Sequence, residues 1–134
     1  MTLRRSQTRK ILVVDDEYAI RVLLKNFLEG HDYEVRLAED AEHALQAFEE
    51  FQPGIIISDI MLPAENGLSI VSRLRDRNPS IQVIYLSAWV DEAETEKKLA
   101  EELNNFPTYR LLQKPFDLDA LLKVIQEVSS QTAG

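Results

Sequence analysis

Short runs of large apolar residues, rich in β-branched side chains, alternate along this chain with segments of helical periodicity. Three of these runs, residues 11–14, 55–58 and 81–86, are typical of strands buried on both faces. Residues 33–37 alternate apolar and polar side chains, and residues 109–112 form a weaker candidate of the same kind. Strands separated by helices predict a parallel sheet with helices on both sides.

Amphipathic segments fill the intervals between these strands. In four of them apolar side chains recur at helical spacing, whereas residues 91–105 are helical by propensity but have only a thin apolar stripe. Residues that commonly begin or end helices stand at the boundaries: Gly30, Asp40, Asn78 and Asp117. Five strands and five helices, with the two alternating strands at the edges, predict the doubly wound flavodoxin-like α/β fold of strand order 2-1-3-4-5.

The composition indicates one domain and excludes several classes of function. The 134 residues are 45% hydrophobic and 28% charged, and the net charge of −8 argues against direct binding to nucleic acid or to an anionic membrane. There is no cysteine for disulfides or thiolate metal sites, no secretory signal and no membrane-spanning apolar run, so we expect a cytoplasmic protein. We divide the chain into a flexible basic tail (1–8), a domain (9–129) and a C-terminal tail (130–134).

Polar residues that could bind ligands or take part in a reaction follow the predicted strands. The first strand is followed by Asp15 and Asp16, the third by Asp59, the fourth by Ser87 and the fifth by Lys114. In a doubly wound sheet, ligands bind beyond these carboxyl ends, near the switch point between strands one and three. Each residue alone has an ordinary explanation, as a helix cap, a turn residue or a solvated charge. All five at one edge predict a functional site.

The chemistry of phosphoryl transfer uses every member of this set. Carboxylates about 4 Å apart repel by roughly 4 kcal/mol per pair at an effective dielectric constant near 20, and a hard divalent cation such as Mg²⁺ relieves that repulsion. A carboxylate can also attack phosphorus, and the transferred group spreads its charge over three oxygens that a metal, a lysine and a hydroxyl can share. We therefore interpret Asp59 as acceptor, Asp15 and Asp16 as a metal site, and Lys114 and Ser87 as phosphoryl ligands.

Four motifs resemble the signature motifs of bacterial response-regulator receiver domains, of the type found in chemotaxis regulators. They are ILVVDDE at 11–17, SDIMLP at 58–63 with Gly67 after it, LSA at 86–88 and KPF at 114–116. The resemblance extends from about residue 10 to residue 129. It implies a phosphoacceptor of a two-component phosphorelay, which switches conformation to signal to a partner.

The resemblance also implies roles for individual residues. Asp59 would accept phosphate from a histidine kinase or a histidine phosphotransfer protein. Asp16, Asp59 and the backbone carbonyl of Met61 would bind Mg²⁺ directly, and Asp15 would act mainly through water. The chain would then be no enzyme beyond its own phosphorylation and autodephosphorylation at Asp59.

At the ends of the fourth and fifth strands, the resemblance implies that Ser87, Ala88 and Lys114 hold the phosphoryl oxygens. The peptide bond from Lys114 to Pro115 is usually cis in the family, a form that proline permits at low cost. Partners and dimer mates often bind the face formed by the fourth helix, fifth strand and fifth helix, so the resemblance also implies a downstream partner or output domain and a phosphorylation-dependent dimer.

The sequence departs from the family where the switch is usually built. Leu111 stands three residues before the lysine, where the family usually has Phe or Tyr, and Tyr109 is two residues earlier. The stretch from Ser87 to the lysine is about five residues longer than usual. The candidate switch residues are Ser87, Trp89, Tyr109 and Leu111, and we expect residues 87–108 to report phosphorylation.

Three other classes of protein would share part of this pattern. A flavodoxin-like FMN protein would need a phosphate loop rich in Ser, Thr and Gly after the first strand, where this chain has Asp-Asp-Glu. A phosphatase of the haloacid-dehalogenase type would carry a second acid at position 61, which is Met. A non-phosphorylated, receiver-like interaction module stays the main alternative, although such modules usually lack one or more of the five site residues.

Overall fold

The computed structural model describes residues 9–88 and 109–133, together with Lys97, Ala100 and Glu101. Its strands are β1 (Lys10–Val14), β2 (Glu34–Ala38), β3 (Ile55–Asp59), β4 (Gln82–Ala88) and β5 (Tyr109–Lys114). The helices among the described ranges are α1 (Tyr18–Glu29), α2 (Ala41–Phe51), α3 (Gly67–Arg77) and α4 (Leu118–Ala133).

Two of the predicted segments lie wholly or largely outside the described residues. Of the helix expected over residues 91–105, the three described residues have helical backbone, and the remainder lies outside the described residues. The basic segment 1–8 lies outside them as well. At the other end, α4 continues to Ala133, past the start of the C-terminal tail expected from residue 130. The division into one domain with two tails stays a prediction.

The five strands form one parallel sheet of order β2-β1-β3-β4-β5, as the alternation of strands and helices predicted. The two strands with alternating polarity, β2 and β5, occupy the edges. The three central strands are almost continuously buried, because helices cover the sheet on both faces.

The hydrophobic core therefore has two layers. Ile11 and Val13 of β1 belong to the layer under α1 and α4, and Leu12 and Val14 belong to the layer under α2 and α3. All four side chains are fully buried. Burial of each such side chain contributes about 1.5–3 kcal/mol, so the strand that precedes the acidic residues is firmly anchored on both sides.

The residues predicted at helix boundaries stand there. Gly30 and Asn78 directly follow α1 and α3, and Asp40 and Asp117 directly precede α2 and α4. The Asp40 carboxylate accepts a hydrogen bond from the His43 N–H at 2.9 Å, a typical N-cap contact. Among the described helices, none combines the length and apolarity that a membrane crossing requires.

Candidate functional site

Two aspartates lie side by side where β1 and β3 end. Val14 pairs with Ser58 across these strands. The residues that follow them, Asp15 and Asp59, are therefore level at the edge of the sheet. Asp15 is fully buried and Asp59 is only 4% exposed. Two carboxylates removed from water at one point need a source of positive charge.

Lys114, the last residue of β5, supplies that charge. Its Nζ lies 3.0 Å from Oδ2 of Asp15 and 3.1 Å from Oδ2 of Asp59. The more exposed Glu17 has a carboxylate oxygen 3.8 Å from the same ammonium. The peptide bond from Lys114 to Pro115 is cis, as the motif implied. Lys114 thus joins three strand ends that are distant in sequence.

The pKa values of Asp59 and Lys114 reflect two opposing effects, burial of the charged groups and their mutual attraction. Burial raises the pKa of Asp59 above the ordinary aspartate value, and the attraction and hydrogen bond of Lys114 offset only part of that rise. Burial alone would lower the pKa of Lys114, but its hydrogen bond and attraction to Asp15, together with Asp59, raise that pKa overall. The ammonium form of Lys114 is therefore strongly favoured.

A third carboxylate completes an acidic cluster that fits a divalent cation. Oxygens of Asp15, Asp16 and Asp59 lie within 4.8 Å of one another, and Asp16 is exposed. Oδ1 of Asp15 accepts the Glu17 N–H at 2.9 Å, and Oδ1 of Asp59 accepts the Met61 N–H at 3.1 Å. These hydrogen bonds fix the buried carboxylates, while the exposed one faces water. Hard oxygen donors beside water suit Mg²⁺, which usually keeps several of its waters.

Ser87 and Ala88 end β4 beside the lysine. Ala88 pairs with Lys114 in the register of the two strands, and Ser87 lies one residue earlier. Ser87 is half-buried, and its hydroxyl donates to the carbonyl oxygen of Ala88 at 2.9 Å. The structure thus brings all five acidic, hydroxyl and ammonium residues predicted from the sequence to one edge of the sheet. The Ser87 hydroxyl would have to rotate before it could donate elsewhere.

The register of β5 shows where the switch candidates lie. Tyr109 pairs with Val83, Leu111 pairs with Tyr85, and the pairing continues without interruption to Lys114. Tyr109 therefore does not shift into the place of Leu111; its ring lies 5.7 Å from that of Tyr85. Leu111 is 47% exposed. Trp89 lies outside the described residues, so its role stays a prediction.

Two contacts at the site were not predicted from the motifs. The guanidinium of Arg21 donates to the backbone carbonyl of Asp15 at 2.8 Å. Gly67 donates its N–H to the Ile60 carbonyl at 2.9 Å, and a Cβ on Gly67 would lie only 2.1 Å from the Asp59 carbonyl oxygen. The position of Gly67 eight residues after Asp59, beyond the SDIMLP motif, was the only signal for this close approach.

Among the described residues, Glu39, Asp40 and His43 form a second cluster of the kind that can hold a metal. Asp40 and His43 are paired at 2.7 Å. The hydrogen bonds from His43 lower the pKa of Asp40, and the hydrogen bond and charge of Asp40 raise that of His43. The cluster is solvent-facing, and Asp40 already caps α2. Helix capping accounts for the Asp40–His43 contact.

A family model described as the response regulator receiver domain matches residues 11–126. This chain belongs to the response-regulator receiver family. Receiver domains of response regulators act in two-component systems, where they interact with histidine kinases and output domains.

Two relatives differ in how much of their own length this chain covers. The receiver is 34% identical over 116 residues to the DNA-binding transcriptional regulator NtrC of Azospirillum brasilense, covering 87% of this chain but 23% of NtrC. It is 28% identical over 121 residues to the chemotaxis protein CheY of Listeria monocytogenes, covering 90% of this chain and 98% of CheY. The chain thus spans about a quarter of one relative and nearly all of the other.

A solved structure confirms the fold. A CheY-like receiver domain protein from Methanospirillum hungatei matches with a TM-score of 0.82 at 27% identity, covering 92% of this chain and 95% of that one. The strand order 2-1-3-4-5 predicted from the sequence is thus the order of the receiver fold.

Gly67→Ala is expected to destabilise the receiver by about 1–3 kcal/mol, because the new Cβ overlaps backbone atoms of Asp59 that cannot move independently. Gly30→Ala is the matched control: its Cβ would meet only carbonyl oxygens at 3.3 and 3.4 Å, and Gly30 has the helical φ of −64°. Urea unfolding of both variants measures the difference. Equal stabilities would contradict the close approach at Asp59.

Asp59→Asn is expected to raise stability at neutral pH. Burial raises the pKa of Asp59, so between the unfolded and folded pKa values the folded state binds more protons and stability falls as pH rises. Asparagine keeps the shape without the charge, and Lys114 keeps Asp15 as a partner. Thermal unfolding should show a gain near pH 7 that shrinks as the pH falls through the raised pKa of folded Asp59 and has vanished below about pH 4, the pKa of an ordinary aspartate. A gain independent of pH, or none beyond that of exposed Asp76→Asn, would contradict this assignment.

Proposed function

We propose that this receiver accepts a phosphoryl group on Asp59 in a Mg²⁺-dependent reaction, from a histidine kinase or a histidine phosphotransfer protein. The observation that carries the proposal is the contact of one ammonium, that of Lys114, with the carboxylates of both Asp15 and Asp59. A lysine held by two buried carboxylates can shift its hydrogen bond from an oxygen of Asp59 to an oxygen of a phosphoryl group that is attached to Asp59.

The transfer forms one bond and breaks another. An oxygen of Asp59 bonds to phosphorus, while the bond from phosphorus to the donor nitrogen breaks and leaves its electron pair on the imidazole. The Met61 N–H and the Lys114 ammonium hold Asp59 through different oxygens, Oδ1 and Oδ2. The carboxylate is therefore oriented before the donor arrives, which lowers the entropic cost of the reaction.

The chain's own donors would then bind the phosphoryl oxygens. Lys114 is already within hydrogen-bond distance of the acceptor, and we propose that it moves onto the phosphoryl group as the aspartyl phosphate forms. Ala88 pairs with Lys114 across β4 and β5, and Ser87 lies one residue before Ala88. Rotation of the Ser87 hydroxyl away from the Ala88 carbonyl would supply a further donor.

The acidic cluster is the proposed metal site. Receiver domains generally bind Mg²⁺ in an acidic pocket. Here Asp16, Asp59 and the Met61 carbonyl would hold the ion directly and Asp15 through water. When bound, Mg²⁺ would neutralise charge on the transferred phosphoryl oxygens.

For output, we propose that residues 87–108 respond to phosphorylation and that a downstream protein, an output domain or a second receiver binds the altered surface. The half-exposed Leu111 on the edge strand β5 supports this, since it offers apolar surface three residues from Lys114. The Tyr109 ring packs against the Tyr85 ring and therefore has less freedom to rotate than the half-exposed Leu111 side chain.

Phosphorylation is testable with small-molecule donors. Incubation with acetyl phosphate or phosphoramidate and Mg²⁺ should add one phosphoryl group, visible by intact mass. Asp59→Asn should abolish the addition, and EDTA should prevent it. Asp76→Asn on the exposed surface of α3 is the control and should be modified normally. Addition that persists in Asp59→Asn would refute the acceptor assignment, and no addition in any variant would favour the non-phosphorylated interaction module.

Metal binding separates the roles of the acidic residues. Asp16→Asn is expected to weaken Mg²⁺ binding at least about tenfold, because it removes an exposed ligand charge from the cluster. The loss of carboxylate repulsion should leave the fold as stable as before or more stable. Isothermal titration calorimetry and thermal unfolding measure the two effects, with Asp119→Asn as an exposed control. Wild-type affinity in Asp16→Asn would show that the ligand assignment is wrong.

A further inference from the structure

The backbone of Asp15 is held from two sides. The Asp15 N–H donates to the Ala38 carbonyl of β2 at 3.1 Å. The Asp15 carbonyl oxygen accepts a hydrogen bond from Nη1 of Arg21 at 2.8 Å. One contact comes from the edge strand and the other from α1, so the chain is fixed at the point where β1 gives way to the acidic loop.

Arg21 is itself well anchored. Its backbone N–H donates to the Glu17 carbonyl at 3.1 Å within the first turn of α1, and its guanidinium carbon lies 5.7 Å from the centroid of the Tyr18 ring. Its side chain is half-buried and borders a cleft formed with β2 and the start of α2. An anchored guanidinium can set the direction of the carbonyl that it binds.

We propose that Arg21 is a positioning residue for the metal site. A peptide unit is planar, so fixing the Asp15 carbonyl also fixes the nitrogen and Cα of Asp16. Arg21 thereby sets the direction from which the exposed Asp16 carboxylate meets those of Asp15 and Asp59. This inference rests on the proposed Mg²⁺-dependent function, and it assigns to Arg21 a role that depends on its hydrogen bond rather than on its charge.

Charge and positioning predict opposite results for Arg21→Gln. A positive guanidinium beside carboxylates repels Mg²⁺, so if only its charge mattered, its removal would tighten Mg²⁺ binding. If its hydrogen bond orients the loop, removal should weaken binding. Loss of groups that orient metal ligands typically costs about 10–100-fold in affinity. The sign of the change therefore decides between the two roles.

The experiment is a titration of the full chain with MgCl₂ by isothermal titration calorimetry, well below the unfolding temperature of every variant. Arg21→Gln should bind Mg²⁺ about tenfold or more weakly than the wild type. Arg21→Lys keeps the positive charge but lacks the planar guanidinium. Its Mg²⁺ affinity should fall between that of Arg21→Gln and that of the wild type. Lys25→Gln, which removes an exposed cation on the same helix, is the control and should bind like the wild type.

Each outcome bears on the inference. Equal or tighter Mg²⁺ binding by Arg21→Gln would overturn it. Should that variant fail to fold, Arg21→Lys decides: weaker binding supports positioning, and unchanged binding overturns it. A wild type that neither binds Mg²⁺ nor accepts phosphate from acetyl phosphate would overturn the proposed function itself. A wild type that does both, beside an unchanged Arg21→Gln, would overturn only the role of Arg21.

Discussion

The site depends on one ammonium group shared by two buried carboxylates. Lys114 ends β5, Asp15 follows β1 and Asp59 ends β3, so their contact is possible only when three strands are in register. Apart from the more exposed Glu17, the carboxylates of Asp15, Asp16 and Asp59 and one ammonium leave two negative charges uncompensated. A single divalent cation would balance them. The same charge count favours a divalent cation such as Mg²⁺ and opposes the approach of an anion when no cation is bound.

Such a site lowers stability, and the surrounding structure compensates for it. The raised pKa of Asp59 shows that the fold disfavours its charged form despite Lys114. The four residues of β1 before Asp15 are fully buried, and β3 before Asp59 is equally apolar apart from Ser58. Apolar burial on both faces of the central strands thus compensates for the cost of removing two carboxylates from water. Gly67, packed directly on the Asp59 backbone, brings α3 as close as a residue without a side chain allows.

The sequence was sufficient to predict the strand order and the five residues at the sheet edge, because both follow from strand polarity and from the end of each strand. It was not sufficient for contacts that depend on how a helix is rotated on the sheet. Arg21 is one of two cationic residues on the amphipathic helix α1, and nothing in its spacing indicates that it reaches back to the Asp15 carbonyl. The register of β5 was equally hidden, since a shift or bulge would have placed Tyr109 nearer to the lysine, and only the uninterrupted pairing excludes it.

Lys114 connects the acidic cluster to the edge of the sheet, because it is the counterion of Asp59 and the last residue of the edge strand β5. A change in its partners would therefore act first on β5, where the exposed Leu111 lies three residues away and Tyr109 packs against the fully buried Tyr85. A leucine has no polar group to exchange a hydrogen bond between two states, so its contribution to a switch must come from apolar contact. An edge strand with such a residue would transmit a change at the site by altering what packs on it, rather than by rotating an aromatic ring into the core.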